Sequence, residues 1–176
     1  MQTNDALEAL LPVVSALRQL GVKYYICGSL ASTFHGIART TADVDMVAEL
    51  SQSDVSAFAK AIRDNYYVDE NMISEAIARK SCFNVIYLPS SFKVDIFVAK
   101  DRRYDRNAME RIEEFPFDDE SPEMRFFLPT AEDVVLSKLE WYRLGDEASE
   151  RQWGDVLGVM KVNRASLDRK YMDKWA

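Results

Sequence analysis

The chain has 176 residues, 48% hydrophobic and 29% charged, which excludes a disordered chain, a collagen-like fibre and a disulfide-stapled mini-protein. No apolar run approaches the roughly 20 residues of a membrane span, and the acidic N-terminal stretch lacks the basic start of a secretory signal. A net charge of −7 argues against a protein that coats nucleic acid through a broad basic face, yet leaves room for a focused contact with an RNA end or a nucleotide.

Residues 5–20 carry Leu7, Leu10, Leu11, Val14 and Leu17 at helical spacing; Pro12 either kinks this helix or starts a second segment, and Gly21 is its stop. Residues 22–27 read as a strand, followed by Gly28-Ser29 and a short helix to about Gly36. Residues 43–48 read as a second strand, 51–65 as a helix capped by Ser51 or Ser53, and 71–79 as another short helix. Two apolar runs, 83–88 and 92–99, flank Pro89-Ser90-Ser91 and predict a hairpin. A helix is expected at 104–112, then a loop around Pro116 and Pro122. Thr130, with Asp133 three residues on, caps a helix to about Leu144; residues 150–162 and 167–175 follow as helices. Trp141, Trp153 and Trp175 read as core anchors between these last helices. The pattern predicts an α+β fold, with a core over 1–128 and a helical section over 129–176 packed on it.

Cys27 and Cys82 lack the spacing of a zinc site and read as reduced thiols in apolar strands, which fits a cytoplasmic protein. The single histidine, His35, excludes mechanisms that need two and reads as structural.

The chemistry concentrates in two places. Asp43 and Asp45 are two apart on a strand, so their carboxylates share a face, while Val44 and Met46 turn to a core. Two such carboxylates repel and resist burial unless a hard cation such as Mg²⁺ joins them. Asp95 is a third acid, set among Val94, Ile96, Phe97 and Val98, where a charge needs a partner. Three strand-borne acids can cradle two metal ions about 3.5–4 Å apart, the geometry of in-line phosphoryl displacement. Gly28-Ser29 lies where a strand passes into a helix: glycine permits close backbone approach, serine offers a hydroxyl, and the helix N-terminus offers N–H groups to phosphate.

An apolar residue, Gly-Ser, a gap of 13 residues and then Asp-apolar-Asp resembles the signature of the polymerase-β-like nucleotidyltransferase superfamily. Here it is Cys27-Gly28-Ser29, then Asp43-Val44-Asp45, with the later Asp95. Arg39-Thr40-Thr41, Pro129 to Asp133 with Ser137-Lys138-Leu139-Glu140, and Arg151 to Asp155 resemble the AbiEii (MenT-like) bacterial branch over residues 20–175.

The resemblance implies a nucleotidyltransferase fold with a small mixed β-sheet, flanking helices and a C-terminal helical section. It implies that Asp43, Asp45 and Asp95 are catalytic and ligate Mg²⁺, with two ions expected and Mn²⁺ an alternative, and that Asp95 also serves as base. Gly28, Ser29, Arg39, Thr41 and Lys138 would bind nucleotide, and Asp155 matches the last motif of the branch. The reaction would move a nucleoside monophosphate from an NTP to a hydroxyl on an RNA end such as tRNA, or on protein, and a cognate antitoxin partner fits the branch. No membrane partner is expected.

The residues themselves bear on two of these roles. On a helix, Lys138 falls within the stripe Ala131, Val134, Val135, Leu139 and Tyr142, where a cation needs a partner or an exit. Asp155 lies opposite the stripe Trp153, Val156, Leu157 and Met160, and a pair with Arg151 one turn away accounts for it. Arg102, Arg103, Arg106 and Arg111 read as a solvated helix face or as an acceptor groove. Against the enzyme stands a non-catalytic nucleotide- or partner-binding module of the same fold; a structural Ca²⁺ site is disfavoured because strand acids lack the ligands of a calcium loop.

Overall fold

The computed structural model describes residues 2–38, 41, 43–116 and 125–176, with side chains from residue 6 onward. Five strands form one mixed sheet: β1 (Tyr24–Ile26), β2 (Asp43–Ala48), β3 (Tyr66–Tyr67), β4 (Cys82–Tyr87) and β5 (Phe92–Val98), in the order β1-β2-β5-β4-β3. β2 and β5 run parallel and the other pairs antiparallel. The expected hairpin is therefore present as β4 and β5, and the 43–48 strand has its expected bounds.

Strand alternation splits the sheet into two faces. Val44, Met46 and Ala48 of β2 and Val94, Ile96 and Val98 of β5 are at most 3% exposed and join one core cluster. That cluster takes in Ala9, Val13 and Leu17 of helix α1 (Gln2–Gln19), Phe58 of α3 (Val55–Ile62) and Ile73 of α4 (Glu70–Arg79). α1 is one helix across Pro12, and Gly21 beyond it takes a positive φ. Ser51 caps the following 3₁₀ turn, Gln52–Asp54, through a capping box with Asp54.

Helix α2 (Gly28–His35) follows β1 directly, and α5 (Arg103–Glu110) follows β5 after a short link. Where a loop is expected around Pro116, residues Glu113–Pro116 form β6 and pair with β7 (Arg125–Leu128). Phe127 of β7 meets Tyr24 edge to face at 5.6 Å, which docks this ribbon beside β1. The expected loop residue Pro122 lies outside the described residues. α6 (Ala131–Leu144), α7 (Glu150–Val162) and α8 (Arg169–Trp175) complete the chain, and Val134, Val135, Val156 and Val159 belong to the same core cluster.

The tryptophans do not anchor that core. Trp141 is 48% and Trp153 43% exposed, and half-buried Trp175 lies against Tyr104. Of the stripe expected on α7 only Val156 is buried. Val156, Gly158 and Val159 face inward, while Trp153, Leu157 and Met160 face outward, because α7 packs on α2 and α6 through its small residues. No helix among the described residues is long and apolar enough to cross a membrane.

Candidate active site

The face of β2 and β5 away from the core carries the acids. In the parallel register Asp43 stands opposite Lys93 and Asp45 opposite Asp95. Because residues two apart share a face, these four form a patch with three negative corners and one positive. The positive corner is bonded: Lys93 Nζ lies 2.7 Å from Asp95 Oδ2. Thr41 Oγ1 donates to the backbone oxygen of Asp43 at 2.9 Å and lies 3.2 Å from its Oδ1, so Thr41 braces Asp43.

The Gly28-Ser29 turn closes over the second acid. Cys27 N–H donates to Asp45 O at 2.8 Å, which clamps the end of β1 onto β2. Gly28 follows at φ +57°, and a Cβ built there would stand 1.9 Å from Asp45 Oδ2. Only glycine lets the Asp45 carboxylate lie against this turn. Ser29 lies in the first turn of α2 and is buried, and Cys27 at the N-cap makes no side-chain capping bond.

Burial is the main cause raising the Asp45 pKa above its ordinary value. The charges of Asp43 and Asp95 raise it further, opposed by Lys138 and Lys93. Crowded, desolvated oxygens of this kind suit a hard cation. Among the described residues no three His, Cys, Asp or Glu side chains stand as a ready-made metal cage, and the third acid is engaged by Lys93. Both cysteines are free; Cys27 lies between β1 and α2, and Cys82 opens β4 and is exposed. Burial, then the charge of Asp45, pushes the Cys27 thiol up. Burial, then Asp95 and Asp45, pushes the Cys82 thiol up to about 12. Neither is a thiolate nucleophile at neutral pH.

A cleft of about 310 Å³ runs from Gly28, Asp43 and Asp45 along α6, past Lys138 to Trp141. Lys138 is 7% exposed, buried as its stripe predicts. Its partner is Asp155 Oδ2 at 2.9 Å, and the Asp155 side chain is itself 7% exposed. The expected surface role of Asp155 is thereby corrected: inverting the buried face of α7 carries it to Lys138. Trp141 reaches over the sheet to Phe97, edge to face at 5.8 Å.

Arg102 and Arg111 are not an ordinary solvated face. Arg102 ties Asp105 to Glu140 of α6 beside the cleft. Arg111 bonds Asp133, Glu132 and Thr130 and lies 3.9 Å over the Tyr171 ring, fixing α8 to the start of α6. His35 lies within hydrogen-bond reach of Pro129 O at 2.8 Å, a structural role. Arg39 lies outside the described residues. Lys93 was absent from the sequence-level candidates, although its place two residues before Asp95 sets it on the acid face.

No protein-family model matches the chain, and no curated protein matches it. Solved structures do. An antigenic nucleotidyltransferase-like protein from Paracoccidioides brasiliensis is 16% identical with a TM-score of 0.59, over 93% of this chain and 78% of that one. ANT(2″)-Ia in complex with adenylyl-2″-tobramycin gives 10% identity and a TM-score of 0.61, over 96% of this chain and 93% of that one. The chain has a nucleotidyltransferase fold. The lincosamide antibiotic adenylyltransferase LnuA with lincomycin bound shares that fold at 11% identity and a TM-score of 0.55, over 88% of this chain and 96% of that one. With identities this low the likeness lies in the backbone, and the roles of the side chains on this nucleotidyltransferase fold follow from their own geometry.

Proposed function

We propose that this chain is a nucleotidyltransferase that moves a nucleoside monophosphate from an NTP to a hydroxyl and releases pyrophosphate. One observation carries the reading: on a nucleotidyltransferase fold, Asp43, Asp45 and Asp95 share the open face of two adjacent strands, and the Gly28-Ser29 turn lies against Asp45. The oxygen-only donor set and the raised pKa of Asp45 fit a divalent ion, Mg²⁺ or Mn²⁺, held by Asp43 and Asp45 with Asp95. Bound there, such an ion neutralises the carboxylates and draws charge from phosphate oxygens.

The chain's own groups do the rest. Ser29 and the α2 N-terminus hold the triphosphate. Thr41 keeps Asp43 in place, and Lys138 turns part of its charge from Asp155 toward phosphate. Arg39 remains a proposed phosphate contact. Asp95 takes the proton of the acceptor hydroxyl as its oxygen bonds to the α-phosphorus and the bond to pyrophosphate breaks. Positioning and charge neutralisation are the protein's contribution.

The AbiEii-like motifs favour an acceptor on an RNA end such as tRNA, or on protein, with an antitoxin as cognate partner. The net charge of −7 favours a short contact over an extended RNA footprint. Two structural neighbours bear small hydroxyl compounds, tobramycin as its adenylyl adduct and lincomycin, so such compounds belong in the acceptor panel.

The test is calorimetry with each of the four NTPs, with and without Mg²⁺, on the wild type and on Asp43→Ala/Asp45→Ala, followed by labelled transfer. Mg²⁺-dependent binding of an NTP that the double variant loses is the expected result. At 100 times the dissociation constant the ligand should add about 2.7 kcal/mol of stability. Binding indifferent to both acids, or none, refutes the enzyme and leaves the non-catalytic module.

A further inference from the structure

The fourth corner of the acid patch has no part in the proposed reaction. Lys93 is the cross-strand neighbour of Asp43 and lies two residues from Asp95 on the same strand. Its ammonium holds Asp95 Oδ2 at 2.7 Å, with the Asp95 side chain 15% exposed and that of Lys93 43% exposed. A pair on an open surface would contribute little. This one shares its sheet face with two further carboxylates, Asp43 and Asp45. From the corner charges, the patch is −2 with the lysine and −3 without it.

We infer that Lys93 is a tethered counter-cation that occupies the Asp95 corner of the site and must release it when a divalent ion loads. The inference rests on the metal-dependent reading above and adds a coupling to it. Asp95, the base of that reaction, is masked by Lys93 until the ion arrives, so the empty site stays shut to an acceptor proton. It also explains why three acids brought together by two strands do not stand as a ready-made cage: the third is turned to its lysine. A structural ion pair would instead support metal binding or leave it untouched.

Removing the ammonium should tighten metal binding. A monovalent and a divalent cation about 6 Å apart, even with water-like screening, repel enough to change an affinity about tenfold.

The experiment is calorimetric titration of the nucleotide-free full chain with Mn²⁺, on the wild type, Lys93→Met, Lys93→Arg and Asp43→Ala/Asp45→Ala. Lys93→Gln is a second neutral variant in case the methionine disturbs folding, and circular dichroism checks each protein. Lys93→Met and Lys93→Gln should bind Mn²⁺ about tenfold more tightly than the wild type. Lys93→Arg should stay near the wild type, and the double variant should lose the site. Wild-type binding that needs Asp43 and Asp45 but is unchanged or weakened in both neutral variants overturns this inference and leaves the metal-dependent reading standing. No Mn²⁺ binding by the wild type or by either neutral variant overturns both.

Discussion

Replacing Gly28 by alanine separates two physical effects that coincide at the turn against Asp45. The first is backbone strain. Gly28 sits at φ +57°, where an L side chain costs about 1–2 kcal/mol. The second is the clash of the new Cβ, 1.9 Å from Asp45 Oδ2 and 2.7 Å from its Cγ, distances no real contact tolerates. The carboxylate must swing away or the turn must open, at about 1–3 kcal/mol for overpacking.

Gly21 supplies the control. Its φ is +67°, and a Cβ there meets nothing within 4 Å. Gly21→Ala should therefore cost about 1–2 kcal/mol, the strain alone, and Gly28→Ala about 2–5 kcal/mol, both read from urea unfolding at matched m-values. In an Asp45→Gly background Oδ2, Cγ and the Cβ at 2.8 Å are all gone, so Gly28→Ala should fall back toward the Gly21→Ala value. The difference between backgrounds is the coupling energy of the contact. Gly28→Ala should also abolish Mn²⁺ and NTP binding, whereas Gly21→Ala should leave both intact. Equal costs for Gly28→Ala in the two backgrounds, or a cost no greater than that of Gly21→Ala, would refute the close approach of Asp45 to the turn.

Three further outcomes follow from the charged groups. Asp45 holds its proton more readily folded than unfolded, because of burial and then Asp43 and Asp95. Its contribution to stability therefore falls as pH rises from the ordinary carboxylate value through the raised folded one, and stays low above it. Asp45→Asn should stabilise the metal-free protein at pH 7, by a margin that shrinks toward pH 4. Thermal unfolding across that range checks it, and a pH-independent margin counts against it. Lys138→Met strips the cation from an Asp155 side chain that is 7% exposed and should cost about 3–5 kcal/mol in urea. Lys138→Met with Asp155→Leu should regain most of that loss, and a single-variant cost below about 1 kcal/mol would show the pair to be solvated. Asp133, 1% exposed, accepts from Tyr171 Oη at 2.6 Å and pairs with Arg111. With Trp141 and Trp153 replaced by phenylalanine so that Trp175 alone reports, Asp133→Ala should release α8 before global unfolding, seen as an early fluorescence change; a single transition shared by all probes would sink that expectation.

Much of this architecture is legible along the chain, because local period and punctuation decide it. Alternation marks β2 and β5, Pro89-Ser90-Ser91 marks their neighbour's hairpin, and Thr130 with Asp133 marks the start of α6. What fails is decided by partners. β6 and β7 hide because Glu113, Glu114, Pro116 and Arg125 carry little strand signal, and the ribbon exists by docking Phe127 on Tyr24. α7 has apolar residues on both sides, so its period does not choose a face. Packing chooses Val156, Gly158 and Val159, with Ile37 close enough to Gly158 that a Cβ there would meet it at 3.5 Å. That choice turns Asp155 inward to Lys138.

The candidate site shows the same division at its sharpest. Period two alone puts Asp43 with Asp45 and Lys93 with Asp95. Nothing within either strand says that β2 lies parallel to β5, nor in which register. A slip of one residue would turn the Lys93–Asp95 pair to the opposite face from Asp43 and Asp45. A slip of two in one direction would set Lys93 against Asp45 and Asp95 against Val47, leaving Asp43 without its cationic neighbour. The three-acid, one-lysine patch is thus a property of the pairing. That is why the acids and the Lys93–Asp95 pair are readable within each strand, whereas the patch that sets them beside Asp43 and Asp45 emerges only once the two strands are side by side.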